Sequence, residues 1–203
     1  MQIAVAGATG RTGRQIIVQA LRRGHSIKAL TRREPPPSTA GEVAWISGDT
    51  TIADSLFEFL EGADAVISAV GPRSARSSDT CTTATRNLLN AGARRLIVVS
   101  GMGVTLPEDR KGAMDRIVAS VVRLLSPNVF EDKVRELDLL RSSEAEWTAI
   151  RVGALMAGDD PKPVKADAFK PAGFRIDVGS LAAFCVEEAE SRRFVRQAPF
   201  VSL

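Results

Sequence analysis

Three features of this 203-residue sequence predict an α/β protein whose single domain holds a doubly wound, mostly parallel sheet. Short apolar runs alternate with helix-length amphipathic segments along the whole chain. A strand, a Gly-x-x-Gly-x-x-Gly turn and a helix come first, and a second strand completes that βαβ unit. Glycine and proline gather just after the expected strands, at the edge where an open α/β sheet takes its ligand.

Gln2 to Ala6 is the first strand, the helix after the glycines runs to Arg23, and Ser26 to Thr31 is the second strand. The stretch from Glu34 to Gly41 carries three consecutive prolines and is expected as a surface loop, because proline lacks the amide that helix and inner strand both use. Val43 to Ser47 forms a third strand. Thr51 to Leu60 reads as a helix with Leu56, Phe57 and Leu60 on its apolar side and Thr51 or its neighbour as cap. Ala63 to Val70 is a buried strand stopped by Gly71-Pro72, Ser78 to Ala91 is a helix, and Arg95 to Ser100 is the most β-branched strand of the chain. Between Gly101 and Pro127 lie a charged loop and an apolar helical stretch, Ile117 to Leu125. Its Ile117, Val118, Val121, Val122, Leu124 and Leu125 are too apolar to stand wholly exposed, so core packing or a lid is expected before a partner surface. Phe130 to Ser142 is helical, with Val134, Leu137 and either Leu140 or the adjacent Leu139 inward, and Trp147 to Val152 is a further strand. Gly158 to Pro163 is loop, Phe174 to Ile176 a short strand, Val178 to Glu188 an amphipathic helix and Phe194 to Val201 the last strand. Neither a repeat nor a linker divides the chain. Residues 1–203 are read as one nucleotide-binding domain, with 101–127 and 157–177 as loops on the substrate side.

Composition narrows the function. Hydrophobic content of 44% and charged content of 25% are those of a soluble globular protein. No apolar run approaches the roughly 20 residues that span a bilayer. The apolar run from Ile3 breaks at Gly7, too early for a secretory signal, so the cytoplasm is expected. Cys81 and Cys185 lack metal spacing and His25 is the only histidine, so no metal site is expected. Cys185 reads as packing, and His25 as a turn residue more readily than as a contact to adenosine. Net charge is +3 and only 5% of the residues are aromatic. Basic residues without interleaved stacking rings argue against nucleic acid and fit a phosphorylated small molecule.

The glycine turn carries the chemistry. Gly7 permits the sharp exit from the strand, Gly10 lets backbone approach a pyrophosphate, and Gly13 lets the helix lie close to the sheet. The anion then rests on the unpaired amides at the positive end of the helix. An NAD-selective site carries Asp or Glu about 20 residues beyond the glycines. Arg32-Arg33 stand there, and the first 33 residues hold seven Lys or Arg and no acid. A guanidinium binds a 2′-phosphate that a carboxylate would repel, so NADP(H) is the expected cofactor, with Arg11 adding to the same field.

The glycine turn, Gly48-Asp49, Asp64-Ala65-Val66-Ile67-Ser68, the stretch Asp132-Lys133…Glu136…Leu140-Arg141 and Trp147-Thr148-Ala149-Ile150-Arg151 together give a further indication. Over essentially its whole length the chain resembles the atypical short-chain dehydrogenase/reductases, the NAD(P)H-binding proteins with a Rossmann fold, and within them the branch of flavin and biliverdin reductases. The resemblance implies that Thr9, Gly10, Arg11 and Thr12 contact the pyrophosphate and that Arg32 and Arg33 take the 2′-phosphate. It implies that Asp49 and Thr50 bound the adenine and that Ala69, Val70 and Gly71 line the nicotinamide ribose. Ser100 and Gly101 would lie near the nicotinamide, with Val152 and Gly153 closing its other side. Ordinary members of that superfamily exchange a proton through a Tyr-x-x-x-Lys pair. Here Lys133 stands at the lysine place, Val129 holds the tyrosine place, and the sequence contains no tyrosine. Phenol acid–base chemistry is therefore excluded. The second serine of the pattern is Gly101.

Two functions fit. The first is an NADPH-dependent reductase of a flavin-like, quinone-like or tetrapyrrole-like acceptor, in which Ser100 orients the nicotinamide or acceptor and Lys133 binds ribose hydroxyls or an acceptor phosphate. Met102 would offer a deformable wall. Arg73 and Arg76 would attract a flavin phosphate or stand as solvated loop charges. The second is a non-catalytic NADP(H)-binding regulator like the NmrA-type proteins, with Gly103 to Pro127 as its partner surface. A sugar-nucleotide epimerase ranks below both, for want of the tyrosine and of a further substrate domain. A monomer is favoured slightly over an oligomer.

Overall fold

The computed structural model describes residues 1–34, 43–72 and 79–203, the side chains of 114, 118 and 122 excepted. Most of the proline-rich stretch, and Arg73 and Arg76, lie outside the described residues. The elements are β1 (Gln2–Ala6), α1 (Arg11–Arg22), β2 (Ser26–Thr31), β3 (Val43–Ser47), a 3-10 turn (Ala53–Leu56) running into α2 (Phe57–Leu60), β4 (Ala65–Ser68), α3 (Thr80–Asn90), β5 (Arg95–Gly101), α4 (Ala113–Leu125), α5 (Pro127–Ser142), β6 (Glu146–Val152), β7 (Ala154–Met156), β8 (Lys165–Asp167), β9 (Arg175–Asp177), α6 (Val178–Ser191) and β10 (Phe200–Ser202).

Eight strands form one sheet in the order β3-β2-β1-β4-β5-β6-β10-β8, parallel throughout except for β8 on β10. The alternation of β1 assigns its two faces. Ile3 and Val5 pack with Ile16 and Ile17 of α1 and Leu181 and Phe184 of α6. Ala4 and Ala6 face Leu56, Phe59, Leu88 of α3 and Leu137 and Leu140 of α5. The chain winds outward from β1 to β3, then restarts at β4 and winds the other way. The carboxyl ends of β1 and β4 are thus the point at which the connections diverge and a crevice must open.

Several expectations need correction. The 51–60 helix is a 3-10 turn followed by one α-turn, and Phe59 is buried while Phe57 is 61% exposed. In 3-10 geometry residues three apart eclipse, so Leu56 and Phe59 share the inner face. The strand expected over 63–70 is only Ala65–Ser68. The last strand is only Phe200–Ser202, since Arg196 adopts φ 57° and breaks the extended run. Strands β7 and β8 were not expected; three residues each is too short to show alternation. In α5 it is Leu140 that is fully buried. On α4, Ile117, Val121, Leu124 and Leu125 are exposed, Leu124 to 81%, contrary to the expectation of core packing. The helix packs on α5 and leaves that apolar face in solvent. Among the described residues no helix is long and apolar enough to cross a membrane.

Candidate functional site

The crevice is built from its turns upward. After Ala6 the chain turns at Gly7 with φ +74°, where an added Cβ would stand 2.8 Å from the backbone of Ala69. The Ala69 amide in turn donates to the Ala6 carbonyl at 3.0 Å, which ties the ends of β1 and β4 together. At Gly13 a Cβ would meet the Gly7 oxygen at 2.1 Å, so α1 rests on the turn itself. Gly10 caps α1 without a side-chain bond, and no acid stands in the first turn. The first amides of a helix have no partner within it. Here no side chain caps them among the described residues, and the backbone is bare enough to admit an anion.

At the neighbouring strand ends, the Thr31 hydroxyl donates to the Arg33 carbonyl at 2.9 Å and accepts from the Arg33 amide at 3.2 Å, which fixes the turn carrying the two arginines. Arg32, 56% exposed at its side chain, lies 3.8 Å from the Asp49 carboxylate. Asp49 also accepts from the amide and hydroxyl of Thr51, both at 2.9 Å, so it holds the 49–51 turn as well as a guanidinium. One cleft brings together nine expected residues: Gly7, Thr9, Gly10, Arg32, Asp49, Thr50, Ala69, Val70 and Gly71. Its walls also include Gly48, from the Gly48-Asp49 motif, and Leu30 and Thr80, which the sequence did not mark. Arg11, Thr12, Gly13 and Arg33 adjoin it along the chain without lining it.

Ser100, Gly101, Val152 and Gly153 lie at the ends of β5 and β6, where Ser100 pairs in register with Arg151 and Gly101 with Val152. Ser100 is buried, and its hydroxyl has no partner among the described residues. Gly153 is pressed by Phe174, whose carbonyl oxygen would lie 2.2 Å from an added Cβ. Lys133 donates to the Val99 carbonyl at 2.9 Å and to Glu136 at 2.8 Å, and a third bond reaches the Cys81 thiol. Burial works against its charge, but Glu136 and Cys81 together outweigh burial and hold the ammonium above its ordinary range. Its N–H groups are committed to protein partners one residue short of Ser100. Burial pushes the Cys81 thiol up to about 12, against the pull of Lys133, so it stays protonated at neutral pH.

Two further networks escaped the sequence reading. The Asp132 carboxylate accepts from the amides of Cys81 and Thr82 and from the Thr82 hydroxyl at 2.6 to 3.0 Å, capping α3 from α5. Burial alone would raise its carboxyl; these donors outweigh burial and hold it below the usual range. Glu136 accepts from Thr85 at 2.9 Å and completes the lacing. The readable signal was an acid on the same helical stripe as buried Leu140, four residues on. In the other network Arg151, fully buried, uses all five N–H groups: on Ala198, Val104 and Ala168 carbonyls and on both oxygens of Asp109, the last at 2.6 and 2.8 Å. Its guanidinium lies 3.6 Å from the centre of the Phe200 ring. Lys111 donates to the Met102 and Val104 carbonyls at 2.8 and 2.9 Å. Burial brings its ammonium down to about 8, with Asp109 opposing. Loop 102–111 is thereby pinned beside the end of β5, with Met102 buried under it.

His25 lies before β2, at the opposite edge of the sheet, 2.7 Å from Glu190, which Arg23 also engages at 2.6 Å. It is a turn residue tying α1 to α6. Cys185 is packed inside α6, where burial raises its thiol. Among the described residues no three His, Cys, Asp or Glu are grouped to hold a metal ion.

Fold and crevice together define a nucleotide-binding protein of the doubly wound α/β class. Residues 7–192 match the NAD(P)H-binding family, and the chain belongs to it. The chain is 29% identical over 133 residues to 4-hydroxy-tetrahydrodipicolinate reductase of Trichlorobacter lovleyi, covering 64% of this chain and 46% of that enzyme. It thus spans less than half the length of such curated relatives. Among solved structures it is similar to a candidate NADH-flavin reductase of Streptococcus pneumoniae, at TM-score 0.79 and 21% identity over 100% of this chain and 99% of that one. It is equally similar to an anaerobillin reductase of Escherichia coli, at TM-score 0.79 and 18% identity over 100% and 97%. At these identities the likeness in structure speaks for the fold.

Proposed function

We propose that this protein is an NADPH-dependent reductase that passes a hydride to a flavin-like, quinone-like or tetrapyrrole-like acceptor without a tyrosine. The observation that carries the reading is the buried Ser100 hydroxyl, without a partner among the described residues, at the end of β5 in the same row of strand ends as the glycine turn. A buried hydroxyl left unpaired is costly, and a ligand that supplies its partner removes the cost. The α1 amides and the bare Gly7–Gly10 turn fit a pyrophosphate, and Arg32 with Arg33 fit a 2′-phosphate. Bound NADPH supplies the hydride, and the electronegative acceptor atom takes its proton from water. Ser100 then orients a ring by one hydrogen bond, while Lys133, through Val99, keeps that strand end in place. The names borne by the two solved neighbours support this acceptor class.

The test is NADPH consumption with FMN, riboflavin, a small quinone and biliverdin in separate reactions. Turnover well above the spontaneous rate with at least one acceptor is expected. Ser100→Ala should lower kcat about 10-fold, the worth of one hydrogen bond of about 1.4 kcal/mol, and leave NADPH binding intact. The exposed apolar face of α4 favours a second reading, a regulator that binds NADP(H) and signals through that face. Tight NADPH binding with no turnover on any acceptor would select it.

A further inference from the structure

A second concavity, sharing no wall with the dinucleotide cleft, lies between the end of α5, the start of β6 and the stretch before β10. We infer that it binds a small monoanionic carboxylate with an apolar body. Its walls include the guanidinium-bearing Arg141 and Arg196, the carboxylate of Glu108, and the apolar Leu106, Phe169 and Trp147. Two cations against one anion leave a single positive charge for the ligand to neutralise. A planar carboxylate matches a guanidinium with two parallel hydrogen bonds. The pocket measures about 260 Å³. That falls just short of the roughly 300 Å³ at which ordinary ligand sites begin, and suits a molecule far smaller than a dinucleotide.

Three observations separate this pocket from an incidental dent. Trp147 is 3% exposed and its indole N–H has no hydrogen-bond partner among the described residues. A buried donor in that state calls for an acceptor. Arg196 is held at φ 57°, a backbone conformation that residues other than glycine rarely adopt, and its N–H donates a hydrogen bond of 2.6 Å to the Trp147 carbonyl. Strain of that kind persists where the surroundings over-determine a residue. The walls are also preorganised: Ala168 and Ala198 in the lining accept hydrogen bonds from buried Arg151, and the Leu106 amide donates to Asp109 at 2.8 Å. The side chain of Arg141, exposed on the rim, makes no hydrogen bond or ion pair among the described residues.

The chain has two tryptophans, Trp45 and Trp147, so a protein labelled with nitrogen-15 at the indoles gives two indole N–H resonances. Trp45→Phe, or equally Trp147→Phe, identifies which belongs to Trp147. Titration with sodium benzoate at constant ionic strength should shift the Trp147 resonance saturably. Arg141→Gln, a change on the exposed rim, should raise the half-saturating concentration at least ten-fold while leaving NADPH affinity unchanged. No saturable shift up to millimolar benzoate would overturn the inference, as would a half-saturation that Arg141→Gln leaves alone. Loss of the shift when NADPH is added would equally overturn it, because benzoate would then occupy the dinucleotide cleft. Its outcome is independent of whether the protein turns over any acceptor.

Discussion

A methyl group added at Gly13 would stand 2.1 Å from the Gly7 oxygen and 2.8 Å from the Ala8 Cα. Both are backbone atoms, so no rotamer change can relieve the clash. Gly13→Ala is therefore expected to cost about 2 kcal/mol or more in urea denaturation and to abolish dinucleotide binding. Gly71, with nothing within 4 Å of a Cβ among the described residues, is the control: Gly71→Ala should change stability by no more than about 0.5 kcal/mol. Equal stability of the two variants would contradict the packing account. The Asp132 carboxyl is held low in the folded chain, so it contributes stability above the ordinary value near 3.8 that is lost as pH falls through the depressed one. Asp132→Asn should cost about 2 kcal/mol at neutral pH, and its difference from the unaltered protein should shrink in acid. A difference constant with pH would show that the donors at α3 do not act through charge. At this scale the glycines and Arg32-Arg33 were legible, because each has a local reason. The partners of Lys133, Asp132 and Arg151 were not, since they include residues about fifty positions away in the chain.

Elements were legible where they were long and periodic, and misread where packing replaced pattern. Strands β1 to β3 and helices α1, α3 and α5 follow the apolar spacing closely. The 53–60 segment and β10 depart from it, through a change of helical pitch in one case and the left-handed Arg196 in the other. Helix α4 has the strongest apolar stripe of the misread elements, yet Leu124 is 81% exposed on it. Leu124→Glu should therefore shift the unfolding free energy by no more than about 0.5 kcal/mol, the range of an ordinary surface change. A loss of several kcal/mol would mean that α4 folds down over the molecule and is covered.

At the scale of the molecule, the order β3-β2-β1-β4-β5-β6 puts every singled-out residue of the glycine turn, Asp49, Gly71, Ser100 and Val152 at one edge of one sheet. That convergence was readable because parallel βαβ connections fix which strand ends share an edge. The acceptor was not, because no motif specifies it, and loops 101–112 and 157–174 take their form from the Arg151–Asp109 network, whose partners lie far apart in the chain. The claim on which the rest stands is a phosphorylated dinucleotide on this edge, its extra phosphate met by Arg32 and Arg33. Calorimetric titration of the protein with NADPH and with NADH measures it directly. The account requires NADPH to bind at least about 10-fold tighter, roughly one charge-assisted contact, with the gap closing in Arg32→Ala/Arg33→Ala. Equal affinities, or tighter binding of NADH, would contradict it.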